Sequence, residues 1–307
     1  RRAALLERAR DYFSDQGVLA VDTPALSRYP TSDPNIESLG VRSAPGKDGF
    51  LVTSPEVYMK RLLAVGYPDI YSICRVFRDG EAGARHNPEF TMLECYAAYW
   101  DYKDMMDLTE RLLRHLAETF GDGGKLVYGE QTLDFSKPFG RIRFMDALQE
   151  KTGVDLMQAA TEDILTLCGK HGIDIKKGMG RDKMLDELFS ELVEPELVQP
   201  TFVMDHPKEL SPLAKGHRES EGLVERFELF TCGFELANSF SELNDPVDQH
   251  QRFEAQLAAK AAGDDEAHPM DADYVRALEY GMPPAAGEGI GIDRLVMLLS
   301  DSPSIRE

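Results

Sequence analysis

The sequence predicts an α+β fold, an antiparallel sheet with helices packed on it. Three observations carry this. Helical and strand-like segments follow each other irregularly, not as regular strand–helix–strand units. Two stretches, 69–99 and 225–242, read as hairpins between helices. The glycine-rich GEGIG at 287–291 does not have G-x-G-x-x-G spacing, and no opening strand–turn–helix carries it, which sets a Rossmann arrangement aside.

Residues 2–16 read as an amphipathic helix, with Leu5, Leu6, Ala9 and Phe13 at helical spacing, ending at Gly17. Residues 18–24 read as a short strand stopped by Pro24. The polar, turn-rich stretch 28–49 predicts a loop with short strands. In Ser54-Pro55-Glu56, serine is a good N-cap and proline suits the first helical position, so a helix is expected to about Val65. Strands are expected over 69–77 and 90–99, joined by a loop at 78–89. Asp101 caps a helix to about Phe120, residues 125–135 are strand-like, and 140–195 predicts a mostly helical insertion with Gly-rich breaks. The second hairpin turns at Cys232-Gly233, a helix starts at Asp245-Pro246 and runs to about Ala262, and GEGIGIDRLVMLL predicts a strand leading into a buried helix.

Acids outnumber bases 54 to 34, a formal charge of −20, which argues against nonspecific nucleic-acid binding because neutralising phosphates needs clustered Lys and Arg. No run of about 18 apolar residues exists to form a membrane-spanning helix. Glu7 and Asp11 argue against reading the Arg-rich start as a transit peptide. The four cysteines form no CxxC and no metal spacing, so a reduced cytoplasmic protein is expected. The chain lacks an initiator Met and stops abruptly at SPSIRE, as a fragment would.

Alternation along 90–97 puts Phe90, Met92, Glu94 and Tyr96 on one face and Thr91, Leu93, Cys95 and Ala97 on the other. A buried carboxylate among aromatics needs a cation, either a ligand or an arginine from another strand. Along 235–242 the same rule places Asn238, Phe240 and Glu242 on one face and Glu235, Ala237 and Ser239 on the other. Two strands with carboxylates beside aromatics suggest an anionic pocket for an amine; internal ion pairs are the alternative. Glu228 and Glu235 could also hold Mg²⁺ together with phosphate oxygens. Arg78 and Arg294 are candidate phosphate ligands, since guanidinium recognises phosphate bidentately; for Arg294 a salt bridge to Asp293 competes. His86 and Asn87 follow the flexible Gly-Glu-Ala-Gly loop, and GEGIG lets backbone approach a ligand closely or forms a twisted buried strand.

Together these pieces resemble the class II aminoacyl-tRNA synthetase catalytic core, lysyl branch. GVLAVDTPAL (17–26) is similar to motif 1, FRDGEAGARHNPEF (77–90) to motif 2 and GIGIDRL (289–295) to motif 3; TSPEVYMKRL, HPKELSPLAK, ERFELF and ELANSFSELND extend the likeness over nearly the whole chain. The resemblance implies one class II catalytic domain over 1–307, ATP as substrate with Mg²⁺, and a homodimer through motif 1. It implies that Arg78 bridges the lysine carboxylate and the ATP α-phosphate, that Glu81, His86 and Asn87 contact ATP, and that Phe90 stacks on adenine. Glu94, Tyr96 and Glu242 would surround the lysine ε-ammonium, with Glu56 at the α-amino group, Asn238 at the carboxylate and Phe240 along the stem. Glu228 and Glu235 match the Mg²⁺ ligands, and Arg294 the γ-phosphate ligand.

The acceptor implied by the resemblance is less uniform. No N-terminal anticodon-binding OB domain is expected, and RAALLERARDYFSDQGVLAVDTP and SDPNIES resemble the elongation-factor-P lysyltransferases, which load lysine or β-lysine onto that factor. Arg78-Asp79-Gly80-Glu81 also departs from the Arg-Asn-Glu usual in synthetases. SPLAK, FSELNDPVDQ, EYGMPP and Gly289 instead resemble a lysyl-tRNA synthetase charging tRNA-Lys, and Thr31-Ser32-Asp33 stands where synthetases supply a Gly-Gly contact. The main expectation is transfer to elongation factor P, the alternative transfer to tRNA-Lys, with an inactive synthetase-like regulator third; retained Arg78, Glu228, Glu235 and Arg294 argue against the last.

Overall fold

A computed structural model describes residues 1–30, 36–42, 48–80, 82–175, 179–261 and 271–306. The expected α+β architecture is present. Helix α1 (Arg2–Asp15) buries Leu5, Ala9 and Phe13, one residue per turn, and Gly17 at φ +75° carries the chain out of it. The predicted 18–24 strand shrinks to β1 (Leu19–Ala20). Strands β2 (Leu26–Ser27), β3 (Gly40–Arg42) and β4 (Asp48–Leu51) form a small separate sheet. Helix α2 (Glu56–Ala64) follows Ser54, whose Oγ accepts the Glu56 N–H at 3.0 Å.

Strands β5 (Asp69–Phe77) and β6 (Glu89–Ala98) form the first hairpin. Helix α3 (Tyr102–Phe120) begins at a capping box in which Asp101 and Asp104 each accept the other's backbone N–H. Residues 125–135 resolve into a small hairpin, β7 (Lys125–Tyr128) and β8 (Gln131–Asp134). The 140–195 stretch is helical in α4 (Phe144–Thr152), α5 (Thr161–Lys170) and α6 (Arg181–Leu192), but its first residues form β9 (Gly140–Arg143), a strand of the main sheet parallel to β10 (Thr201–Met204). These helices share a cluster of their own, including Phe144, Leu148, Ile164, Leu185 and Phe189, anchored on Val203 and Phe230.

Strands β11 (Arg226–Thr231) and β12 (Phe234–Ser241) turn through Cys232 and Gly233, both at positive φ (53° and 66°), the geometry of a tight right-twisted hairpin. Helix α7 (Pro246–Ala261) follows, then α8 (Ala272–Glu279), which sequence periodicity did not predict. Strand β13 (Ala285–Gly291) leads into α9 (Ile292–Ser300).

The main sheet has eight strands in the order β1-β5-β6-β13-β12-β11-β10-β9, antiparallel except at its two edge pairs. Helices α1, α3 and α9 cover one face, where Leu93, Cys95, Phe227, Leu236, Ala286 and Ile290 meet Leu112, Leu116 and Leu295. The opposite face, left open in the middle, carries the cavity described below.

One core residue breaks the apolar rule. Glu288 on β13 points into the helix-covered face, 2% exposed, against Thr109 and with Cys95 Sγ 4.0 Å away. The Thr109 hydroxyl has one proton and two acceptors in reach, the Met105 carbonyl at 2.6 Å and the Glu288 carboxyl; a protonated Glu288 would donate to Thr109 and leave that proton to Met105. Burial pushes that carboxyl up to about 8, consistent with a proton-bearing acid at neutral pH. Folded Glu288 thus keeps a proton that the unfolded chain loses above its ordinary value near 4.5, so its contribution to stability falls as pH rises and is gone above about 8. Glu288→Gln keeps a donor and removes this loss. In denaturation at a series of pH values, the variant is expected to gain on the wild type by up to about 1.4 kcal/mol per pH unit between pH 5 and 8. A gap that does not change with pH would contradict a protonated Glu288.

Candidate active site

A cavity of about 1200 Å³ opens on the uncovered face of the sheet, floored by β6, β13 and β12 and walled by α2 and residues 78–80 and 85–88. Alternation along β6 places Phe90, Met92, Glu94 and Tyr96 on its lining, while Leu93, Cys95 and Ala97 go to the core, as the period of two requires. Gly287, Gly289 and Gly291 of β13 face the same cavity, directly opposite Tyr96, Glu94 and Met92. They let the floor lie flat: a Cβ on Gly287 would fall 2.2 Å from Tyr96 Cε1 and 2.3 Å from Glu242 Oε1. Gly289 is less constrained, with Met92 Sδ 3.4 Å from such a Cβ.

One correction concerns β12. Strict alternation predicts Glu235 on the face opposite Asn238 and Phe240. The register instead shifts: Leu229 pairs with Ala237 and Phe230 with Glu235, leaving Leu236 as an extra residue. This β-bulge reverses the phase on its far side, so Glu235, Asn238 and Phe240 all line the cavity.

At one end the site is acidic. Glu94, 3% exposed, accepts from Ser54 Oγ at 2.6 Å and from the Tyr96 hydroxyl at 3.0 Å. Burial, reinforced by the charge of Glu56, pushes it up to about 7. Glu242 corrects a second expectation: it does not line the open cavity but is fully buried behind it, ion-paired with Lys60. Lys60 Nζ, on α2 and also fully buried, lies between Glu242 and Glu56 Oε1, the latter 2.5 Å away. Burial alone would lower the Lys60 pKa; attraction to Glu242 and then Glu56 overrides it, and Lys60 stays protonated. Glu56 remains on the lining, 18% of its side chain exposed.

The other end is basic. Arg78 leaves β5 with Nε 3.3 Å from the Thr53 carbonyl and its guanidinium 5.2 Å from the centre of the ring of Phe90, the residue expected to stack on adenine. Arg294, in the first turn of α9, does not pair with Asp293, which is held by Arg2 and the Thr91 N–H. It donates instead to the Glu235 carbonyl at 2.8 Å and lies 3.3 Å from the Glu235 carboxylate. Its other terminal nitrogen sits 3.0 Å from His86 Nε2. Burial and the charges of Arg294, Arg78 and Arg85 lower the His86 pKa, so the ring is neutral and Nε2 accepts. The Asn87 amide donates to the Glu89 carbonyl at 2.7 Å. Glu81 and Thr31-Ser32-Asp33 lie outside the described residues.

Between the two ends, Arg226 donates to Asn238 Oδ1 at 3.0 Å and pairs with Glu228 at 2.5 Å. That turns the Asn238 amide donors away from the arginine. Burial would raise Glu228, but Arg226 and then His206 hold it down at about 2. Glu228 and Glu235 face the cavity from adjacent strands, and no group of three or more His, Cys, Asp or Glu side chains suited to a metal occurs among the described residues. Two carboxylates suit Mg²⁺ when phosphate oxygens supply further ligands.

Sequence reasoning missed Lys60, Arg226 and Ser54 as parts of the site. The Glu56/Lys60 spacing of four was readable, but it is equally the signature of an exposed helix pair.

A family model described as tRNA synthetases class II (D, K and N) matches residues 1–307, the whole chain. The chain belongs to this family. The chain is 46% identical to the lysine–tRNA ligase of Staphylococcus haemolyticus (strain JCSC1435) over 307 residues, all of this chain and 62% of that protein. It is 47% identical to the lysine–tRNA ligase of Staphylococcus aureus (strain MRSA252) over the same span, again 62% of the relative. The chain thus spans less than two thirds of the length of the curated relatives it matches. No described helix is long and apolar enough to cross a membrane.

Proposed function

We propose that this class II synthetase activates lysine with ATP and transfers the lysyl group to tRNA. The observation that carries the reading is the polarity of one cavity: Glu94 and Glu56 on the lining at one end with Glu242 buried behind them, Arg78 and Arg294 at the other. An amino acid with a second ammonium fits the acidic end, and a triphosphate the basic end. The relatives named lysine–tRNA ligase support the same substrates.

In this reading the ε-ammonium binds Glu94 and the Tyr96 hydroxyl, with Glu242 behind them. Glu56 takes the α-ammonium, Phe240 lines the stem, and the Asn238 amide donates to the carboxylate. Arg78 bridges that carboxylate and the α-phosphate, stacked beside the Phe90 ring that receives adenine. His86 and Asn87 border the nucleotide, and Arg294 holds the γ-phosphate. Glu228 and Glu235 would hold Mg²⁺, which neutralises phosphate charge when bound. A lysine carboxylate oxygen attacks the α-phosphorus, the new O–P bond forms as the α–β bridging bond breaks, and pyrophosphate leaves. The protein contributes orientation and fixed positive charge. An acceptor hydroxyl then attacks the lysyl carbonyl and AMP departs.

The comparisons favour tRNA over elongation factor P, the acceptor first expected from sequence. That expectation leaned on the start of the chain, and a chain spanning 62% of its relatives gives no ground for reading an acceptor from where it begins. The full-length protein, incubated with ATP, labelled lysine and either tRNA or elongation factor P, is expected to label tRNA. Label on the factor and none on tRNA would overturn this acceptor.

A further inference from the structure

We propose that Lys60 is a positioning and specificity residue, a built-in ammonium that fixes two of the three acids of the amine pocket and sets its charge. The inference rests on the lysine-activation reading and deepens it. Lys60 sits on α2 among Met59, Leu63 and Tyr274, with no exposed side-chain surface, where a charged residue is costly unless paired. It touches Glu56 and Glu242 at once, and its Nζ lies 5.2 Å from the centre of the Phe240 ring, the side chain expected along the ligand's stem.

With all three ionised, Glu56, Glu94 and Glu242 less one ammonium leave two negative charges; burial pushes Glu94 up to about 7 and Glu242 up to about 8, so the full charge belongs to the pocket with cations bound. A diamino acid brings two ammonium groups, so the pocket with Lys60 matches its charge. Without Lys60 the pocket would hold one negative charge too many, on Glu242, whose side chain has no exposed surface. Geometry points the same way. Glu242 directs its other oxygen toward Gly287 and Tyr96, the floor of the pocket, and among the described residues Lys60 is the cation that ties its carboxylate from behind. Glu56, partly open to the cavity, is tied by the same ammonium. Lys60 therefore aims both acids at a ligand it does not itself touch.

The groups facing the Lys60–Glu242 pair are Glu56 of α2, Glu94 and Tyr96 of β6 and Tyr274 of α8, with Arg78 acting on Glu94. The test is ATP–pyrophosphate exchange by full-length wild type, Lys60→Met and Lys60→Arg from pH 6 to 9. Wild-type exchange that does not depend on lysine would remove the lysine reading, and this proposal with it. Given lysine-dependent exchange, Lys60→Met is expected to raise the lysine KM at least about 30-fold while the ATP KM stays within about threefold. It should also move the acidic limb of lysine kcat/KM upward by about one pH unit or more, because Glu242 then keeps its proton longer. Lys60→Arg, which keeps the charge, should recover most of that loss. A lysine KM and pH limb unchanged in Lys60→Met would overturn the proposal and leave Lys60 as packing alone. If Lys60→Met does not fold at neutral pH, the comparison is made at pH 6, where protonation of Glu242 removes the unpaired charge. If it folds at neither, Lys60→Arg decides: a lysine KM within about tenfold of wild type supports the role of charge, and a larger rise with unchanged ATP KM overturns it.

Discussion

Arg78→Ala is expected to slow lysine-dependent ATP–pyrophosphate exchange by about 10³-fold or more, because it removes a fixed cation from the point where charge develops at the α-phosphorus. Arg78 stands where β5 ends, its Nε against the Thr53 carbonyl and its guanidinium over the Phe90 ring. Those contacts orient the planar fork before any ligand arrives, so little reorganisation accompanies binding. Lysine at this position would keep the charge and lose the fork, and Arg78→Lys should recover only part of the rate. The effect is expected mainly in the rate, with lysine and ATP still saturating, since the contact strengthens as the new bond forms. Near-normal exchange in Arg78→Ala would remove Arg78 from the chemistry.

Gly287→Val is expected to lower lysine kcat/KM by about 10³-fold or more while leaving the ATP KM within a few-fold, since its side chain would fill the amine pocket and leave the nucleotide end intact. Even a Cβ at 287 would fall within 2.3 Å of both Tyr96 and Glu242. Neither neighbour can step aside cheaply. Tyr96 is 4% exposed and bonded to Glu94, and Glu242 is held by Lys60. The valine would displace one of them into packed core or break a buried charge contact. Circular dichroism and ATP binding check that the variant folds. A folded Gly287→Val with ordinary lysine kcat/KM would show that the substrate amine binds elsewhere.

Much of the fold was legible because its periodicities are local. The alternation in Phe90–Ala97 sorts β6 correctly between cavity and core, and the Asp101/Asp104 capping box marks the start of α3. Other features rest on pairing between distant residues. Gly140–Arg143 reads locally as the start of a helical region, yet it is an edge strand because Thr201–Met204 lies beside it. Helix α8 is short, and its acidic surroundings hide the Tyr274, Val275 and Leu278 stripe. The bulge at Leu236 carries no glycine or proline to announce it, so simple alternation put Glu235 on the wrong face.

The candidate site divides the same way. Residue types pointed to Arg78, Glu94, Tyr96, Glu228 and Arg294, because arginines and buried acids on strands demand partners. Who partners whom was not legible. Arg294 had its neighbour Asp293 as the obvious choice, and the fold gives Asp293 to Arg2 and Arg294 to Glu235 and His86. For Glu242 the residues left a ligand cation and an internal ion pair open, and the fold supplies the pair through Lys60. A lone lysine in a helix reads as solvent-facing until tertiary packing encloses it.

The most direct measurement is amino-acid-dependent ATP–pyrophosphate exchange by the full-length wild-type protein, run in parallel with each of the common amino acids and with norleucine. The proposed function predicts exchange with lysine at least about 100-fold above that with aspartate, asparagine or norleucine, because only a second ammonium satisfies Glu94 and its neighbouring acids. Exchange supported by aspartate or asparagine in place of lysine, or by norleucine as well as by lysine, would contradict it.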